Sequence, residues 1–131
     1  MVKTAKTFPT VLVVDDYEDS RTMFRRLMEA KGCAVAEAVD GEAAVEAVRR
    51  ARPDLILLDL NMPRVDGLEA AQRIRELKGA CKDVPIIAIT AFDTYGMKEA
   101  AIEAGCDDYL TKPVSIQDLE RSLKSLLPHW F

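Results

Sequence analysis

The sequence predicts an α/β fold in which helices cover both faces of a parallel sheet. Short apolar runs alternate along the chain with stretches whose apolar residues recur at helical spacing. Turn-forming residues separate these stretches. Strict alternation of this kind is typical of repeated strand–helix units, and right-handed crossovers then place helices on both sides of the sheet. We therefore expect five strands and five helices in one sheet.

Five apolar runs are the predicted strands, of which the second is the weakest. They span residues 11–15, 34–38, 55–59, 84–90 and 108–111. The predicted helices span residues 18–31, 40–50, 68–77, 95–104 and 115–127. Gly32 and Gly105 stop two of the helices, Asp40 opens the second, and prolines 53 and 128 follow the second and the last.

Apolar stripes at a spacing of three and four residues support the helices. The stripes are Met23, Leu27 and Ala30; Ala44, Val45 and Val48; Ala71, Ile74 and Leu77; and Ile116, Leu119, Leu123 and Leu126. The last stripe is the clearest. Ser115 and Asp118 have the spacing of an N-cap residue and its partner one turn later, which marks the start of that helix.

The chain has 131 residues, which suits one domain. We expect this domain over residues 10–127, with a flexible N-terminal segment over 1–9 and a short C-terminal tail over 128–131. A net charge of −4 without a basic cluster argues against direct binding of nucleic acid. No apolar stretch approaches the ~20 residues of a membrane helix. The three cysteines lack metal-type spacing, so we expect them to be reduced in a cytoplasmic protein.

Polar residues follow four of the predicted strands at the point where each strand ends. They are Asp15 and Asp16, Asp59, Thr90, and Lys112. Ligands of open parallel sheets bind beyond the carboxyl ends of the strands, so these side chains are expected to converge. Oxygen ligands in this number favour Mg²⁺. A carboxylate can also accept a phosphoryl group, whose oxygens a hydroxyl and an ammonium would then bind.

Each of these residues also has a structural interpretation when taken alone. Asp15 or Asp16 would suit the cap of the next helix, and Asp59 would suit a turn. Thr90 is common in strands, and Lys112-Pro113 would suit a polar turn. Their coincidence at successive strand ends favours one site over separate structural roles.

In combination, these residues resemble the receiver domain of two-component response regulators. The resemblance spans about residues 10–127. Its motifs are Asp15-Asp16, the stretch 59–63 with Asp66-Gly67, Thr90-Ala91, Tyr109, and Lys112-Pro113. It implies a flavodoxin-like three-layer sandwich with strand order 2-1-3-4-5 and a cis peptide bond between Lys112 and Pro113.

The resemblance also implies the roles of the site residues. Asp59 would be the phospho-acceptor, supplied by a sensor histidine kinase, a phosphotransfer protein or a small phosphodonor. Asp16 and Asp59 would bind Mg²⁺ together with the backbone carbonyl of Asn61, and Asp15 would act through a metal-bound water. Thr90 and Lys112 would contact the phosphoryl group.

Tyr109 matches the switch aromatic of this family, which turns inward when the threonine moves towards the phosphate. The signalling surface would be formed by the fourth helix, the fifth strand and the fifth helix, and its downstream protein target is not readable from these residues. Such a domain is a switch rather than a turnover enzyme, although it catalyses its own phosphotransfer and autodephosphorylation.

The same fold would also suit two other functions. A Mg²⁺-dependent phosphatase with an aspartyl-phosphate intermediate would need an Asp-x-Asp motif after the first strand and a cap domain for its substrate. A flavin or nucleotide binder would need a phosphate-binding loop after the first strand, where this chain has the acidic stretch 15–19. The sequence leaves open whether the receiver stands alone or is part of a larger regulator or hybrid kinase, and its oligomeric state.

Overall fold

The computed structural model describes residues 8–62 and 66–131. Most of the segment 1–9, which the sequence predicts to be flexible, lies outside these ranges. Residues 63–65, which belong to the motif after the third strand, also lie outside them.

Five strands and five helices alternate along the described chain. The strands are β1 (Thr10–Val14), β2 (Ala34–Ala38), β3 (Leu55–Asp59), β4 (Ile86–Thr90) and β5 (Asp108–Thr111). The helices are α1 (Glu18–Ala30), α2 (Gly41–Ala51), α3 (Gly67–Arg75), α4 (Met97–Ala104) and α5 (Ile116–Leu126). A short 3₁₀ helix, Gly79–Asp83, joins α3 to β4.

The strands form one parallel sheet in the order β2-β1-β3-β4-β5. This confirms the predicted flavodoxin-like topology. The order makes β1, β3, β4 and β5 successive neighbours, so the four strand ends that carry polar residues lie side by side.

Alternate residues of each central strand pack on opposite faces of the sheet, as strand geometry requires. In β1, Leu12 and Val14 pack with the buried residues of α2, α3 and α4. Val11 and Val13 pack on the other face with Phe24 of α1 and with residues of α5. The molecule therefore has three layers, and its central strands are held rigidly from both sides.

Three boundaries differ from the sequence prediction by two residues, and the others differ by one residue at most. β4 begins at Ile86 rather than at residue 84, because Pro85 has no N–H to contribute to the strand ladder. α4 begins at Met97 rather than at residue 95, because Gly96 adopts a left-handed conformation with φ of +83°. α3 ends at Arg75 rather than at residue 77, and residues 76–78 connect it to the 3₁₀ helix.

Candidate functional site

The polar residues predicted from the strand ends lie together at the carboxyl edge of the sheet. Asp15 follows β1, while Asp59 and Thr90 end β3 and β4. All three are almost fully buried, with 1%, 4% and 0% of their surface exposed. Asp16 is exposed beside them. The sheet thus places two buried carboxylates and a buried hydroxyl next to a carboxylate that faces solvent.

Asp15, Asp16 and Asp59 form a carboxylate cluster. One oxygen from each lies within 4.8 Å of the others. At this separation two carboxylates repel by roughly 3 kcal/mol at an effective dielectric of about 20. A divalent cation would offset that repulsion, and an all-oxygen donor set with one exposed member fits Mg²⁺, which retains several waters.

Asp15 is held by three donors. Its Oδ1 accepts the backbone N–H of Tyr17 at 2.9 Å, and its Oδ2 accepts the Ser20 hydroxyl at 2.6 Å and the Lys112 ammonium at 3.1 Å. The interpretation of Asp15 or Asp16 as a helix cap is wrong, because Tyr17 is the N-cap residue of α1 and no side chain caps it. Asp15 is instead fixed at the site, where Lys112 balances part of its charge.

Asp59 combines burial with partial stabilisation of its charge. Burial raises the pKa of its carboxyl to about 6, against the opposing effects of the Asn61 N–H and the Lys112 charge, while Asp15 and Asp16 raise it further. The Asn61 N–H donates to Asp59 Oδ1 at 2.9 Å. Since this pKa lies below 7, the carboxylate is mostly ionised at neutral pH and is available as a nucleophile.

Gly67 allows α3 to begin directly against Asp59. A Cβ at position 67 would lie 2.5 Å from the Asp59 carbonyl oxygen and 2.5 Å from Leu60 Cα. The Asp66 side chain caps the helix by accepting the Glu69 N–H at 2.9 Å. The Asp66-Gly67 pair therefore ends the loop after β3 by starting a helix in close contact with the site.

Thr90 and the residue after it point donors towards Asn61. The Thr90 hydroxyl lies 2.6 Å from Asn61 Oδ1, and the Ala91 N–H donates to the same oxygen at 3.0 Å. The Phe92 N–H donates in turn to Thr90 Oγ1 at 3.0 Å. Asn61 thus connects the end of β3 to the end of β4.

Tyr109 connects β5 to the loop that follows β4. Its hydroxyl donates to Asp93 Oδ1 at 2.9 Å. Burial raises the pKa of the phenol to about 12, with further contributions from the hydrogen bond to Asp93 and from the charges of Asp93 and Glu99. The peptide bond between Lys112 and Pro113 is cis.

Four features of the site were missed from the sequence: the Ser20 hydroxyl, the Asn61 carboxamide, the Ala91 N–H and the Asp93 carboxylate. Ser20 had a readable signal, because it stands in the first turn of the helix after Asp15. The other three depend on how the loops after β3 and β4 approach each other and β5, which no local pattern encodes.

An open parallel sheet with an acidic cluster, a hydroxyl and an ammonium at its carboxyl edge defines an α/β domain equipped for metal and phosphate chemistry. Residues 11–124 match the family model of the response regulator receiver domain. The chain is 41% identical over 117 residues to the response regulator MprA of Mycobacterium leprae, covering 89% of this chain and 50% of that protein. It therefore belongs to the response regulator receiver domain family and to two-component signalling.

Solved structures agree with this assignment. A putative response regulator from Chloroflexus aurantiacus superposes with a TM-score of 0.86 at 32% identity, covering 93% of this chain and 99% of that one. The receiver domain of the sensor histidine kinase PA1611 from Pseudomonas aeruginosa has a TM-score of 0.84 at 34% identity, with 93% and 99% coverage. That structure has a magnesium ion coordinated in its active-site cleft.

The chain spans about half the length of the curated relatives it matches, including MprA of Mycobacterium tuberculosis at 40% identity. Within residues 8–62 and 66–131, none of the helices has the length and apolar character needed to span a bilayer.

Proposed function

We propose that this receiver domain is switched by Mg²⁺-dependent phosphorylation of Asp59. The observation that carries the proposal is the Asp59 carboxylate itself, which is buried and within 4.8 Å of two further carboxylates. A structural carboxylate in such surroundings would be expected to have a fixed cationic partner. In the part of the chain that the structure describes, the Lys112 ammonium forms its ion pair with Asp15, at 3.1 Å.

In the proposed reaction an Asp59 oxygen attacks the phosphorus of a phosphohistidine. The P–N bond breaks, and its electron pair stays on the imidazole nitrogen of the donor. Asp16, Asp59 and the Asn61 carbonyl would hold Mg²⁺, with Asp15 acting through a water. When bound, the metal supplies positive charge to the phosphoryl oxygens. Thr90 and Lys112 would donate to the same oxygens.

The switch is proposed to run from Thr90 to Tyr109. A phosphoryl group that draws the Thr90 hydroxyl towards it would free space for the Tyr109 ring. Tyr109 lies on β5, between α4 and α5, so its rotation would change the surface formed by these three elements. A downstream protein is the expected reader of that surface.

The proposed donor is a sensor histidine kinase or a phosphotransfer protein, and the functional unit is residues 10–127. The three cysteines are free. Free cysteines are typical of a reducing compartment, so we propose that the phosphoryl transfer takes place in the cytoplasm.

A small phosphodonor tests the proposal without knowledge of the kinase. The unmodified chain is incubated with acetyl phosphate and Mg²⁺, and the mass of the intact protein is measured. We expect the added mass of one phosphoryl group, lost when Mg²⁺ is chelated and lost in Asp59→Asn. A phosphorylated Asp59→Asn protein would contradict the assignment, and rapid turnover of small phosphoesters would favour the phosphatase.

A further inference from the structure

Two hydrogen-bond donors at the end of β4 converge on a single atom of Asn61. The Thr90 hydroxyl and the Ala91 N–H lie 2.6 Å and 3.0 Å from Asn61 Oδ1. The backbone N–H of Ala91 can only donate, so the carboxamide must present its oxygen there and not its nitrogen. The orientation of the Asn61 side chain is thereby determined by the backbone.

The single hydrogen of the Thr90 hydroxyl is directed to the same oxygen. Thr90 Oγ1 already accepts the Phe92 N–H at 3.0 Å. As a donor, Oγ1 has Asn61 Oδ1 at 2.6 Å and the Phe92 carbonyl at 3.2 Å, of which the first is the shorter and stronger bond. Since Thr90 is fully buried, water does not compete for this hydroxyl.

Asn61 bridges these donors to the proposed phospho-acceptor. Its backbone N–H donates to Asp59 Oδ1 at 2.9 Å, while its side chain reaches Thr90 and Ala91. A phosphoryl group on Asp59 that accepts a hydrogen bond from the Thr90 hydroxyl must replace Asn61 Oδ1 as the acceptor of that bond. The neighbouring Ala91 N–H, aimed at the same point, then becomes available to the same phosphoryl group.

We propose that the Asn61 carboxamide oxygen stands in for a phosphoryl oxygen in the unphosphorylated domain and competes with it for Thr90 and Ala91. This inference rests on the proposed function of Asp59. Asn61 is in this respect a positioning residue, because its side chain acts through the two donors that it holds. Its neutral oxygen is a weaker acceptor than a phosphoryl oxygen, to which hydrogen bonds are charge-assisted and roughly twice as strong.

The competition predicts that shortening Asn61 strengthens binding of a phosphoryl mimic. Asn61→Ala keeps the backbone N–H and carbonyl and removes the carboxamide that carries the competing oxygen. One net hydrogen bond corresponds to a change in affinity of about fivefold. We therefore expect Asn61→Ala to bind beryllofluoride, in the presence of Mg²⁺, about fivefold more tightly than the unmodified chain in calorimetric titration.

A double variant separates this role from a change in loop shape. In a Thr90→Val background one of the two contested donors is already absent. There, Asn61→Ala should raise the logarithm of the beryllofluoride affinity by about half as much as in the unmodified chain, or less. An equal gain in both backgrounds would overturn the proposal, and so would unchanged or weaker binding by Asn61→Ala. If the unmodified chain bound no beryllofluoride at all, the proposed function would fail first.

Hydrogen exchange tests the same contact without any phosphoryl group. In the metal-free protein, Asn61→Ala should accelerate exchange of the Ala91 N–H several-fold, because that group loses its acceptor. The Leu60 N–H, which donates to the Ile89 carbonyl at 2.9 Å, is the internal control and should exchange at its original rate. Unchanged exchange at Ala91, or equal acceleration at Leu60, would overturn the proposal.

Discussion

At the scale of single residues, an ammonium and a phenol at the site are each held by a carboxylate. Lys112 pairs with Asp15 at 3.1 Å, and the Tyr109 hydroxyl is held by Asp93 at 2.9 Å. Each contact holds a group that the proposed phosphorylated state would use differently. Hydrogen bonds to charged groups contribute about 1.5–3 kcal/mol each, so a phosphoryl group, which is itself charged, could replace either contact.

Asp93→Ala should lower the pKa of Tyr109 from about 12, because it removes both a hydrogen-bond acceptor and a nearby negative charge. The pKa should remain above its ordinary value of about 10, since burial is the largest cause of the shift. The ¹³C shift of the ring carbon bonded to the hydroxyl, followed with pH in the folded protein, measures this. Glu99→Gln is the matched control and should lower the pKa less; an equal effect would contradict the role of Asp93.

At the scale of elements, the start of α3 positions Asp59, the proposed phospho-acceptor, at the end of β3. Gly67 lets the helix begin in contact with the backbone of Asp59 and Leu60. The starts of α2 and α5 were predicted from local signals in the sequence. Asp40 and Ser115, the predicted first residues, each accept a backbone N–H from the first turn of their helix. The 3₁₀ helix was not predicted, because its short segment carries no periodic apolar pattern.

Gly67→Ala should destabilise the fold by about 1–3 kcal/mol, because a methyl group there overlaps backbone atoms that have little freedom to move. It should also slow phosphorylation by displacing Asp59. Gly79→Ala is the control: nothing lies within 4 Å of its Cβ, so only its φ of +74° opposes the change, at a cost of about 1–2 kcal/mol. Denaturant unfolding and acetyl phosphate labelling measure the two effects. Normal labelling of Gly67→Ala would contradict the positioning role.

At the scale of the whole molecule, the strand order converts residues far apart in sequence into one site. The positions of Asp15, Asp59, Thr90 and Lys112 at strand ends were readable from the sequence, because a strand's end is a local signal and a parallel sheet aligns such ends. The link from Asn61 to Thr90 and that from Tyr109 to Asp93 were not, because they depend on loop conformations set by packing across the sheet.

Mg²⁺ should stabilise the whole fold, because it would bind the folded carboxylate cluster and relieve its repulsion. At tenfold over its dissociation constant the gain is about 1.4 kcal/mol, which raises the melting temperature by roughly 5 °C. Asp16→Asn should lose most of this shift. Asp83→Asn, which neutralises an exposed acid outside the cluster, should keep it. A shift that survives in Asp16→Asn, measured by thermal unfolding, would contradict the metal site.

If the Asp59 carboxylate carries the phosphoryl group, as we propose, chemical reduction will mark that position. Borohydride reduces an acyl phosphate to an alcohol and so converts a phosphorylated aspartate to homoserine. After acetyl phosphate treatment and reduction, peptide mass spectrometry should find homoserine at position 59 and aspartate at positions 15 and 16. Homoserine at either of those positions, with intact aspartate at 59, would contradict the account.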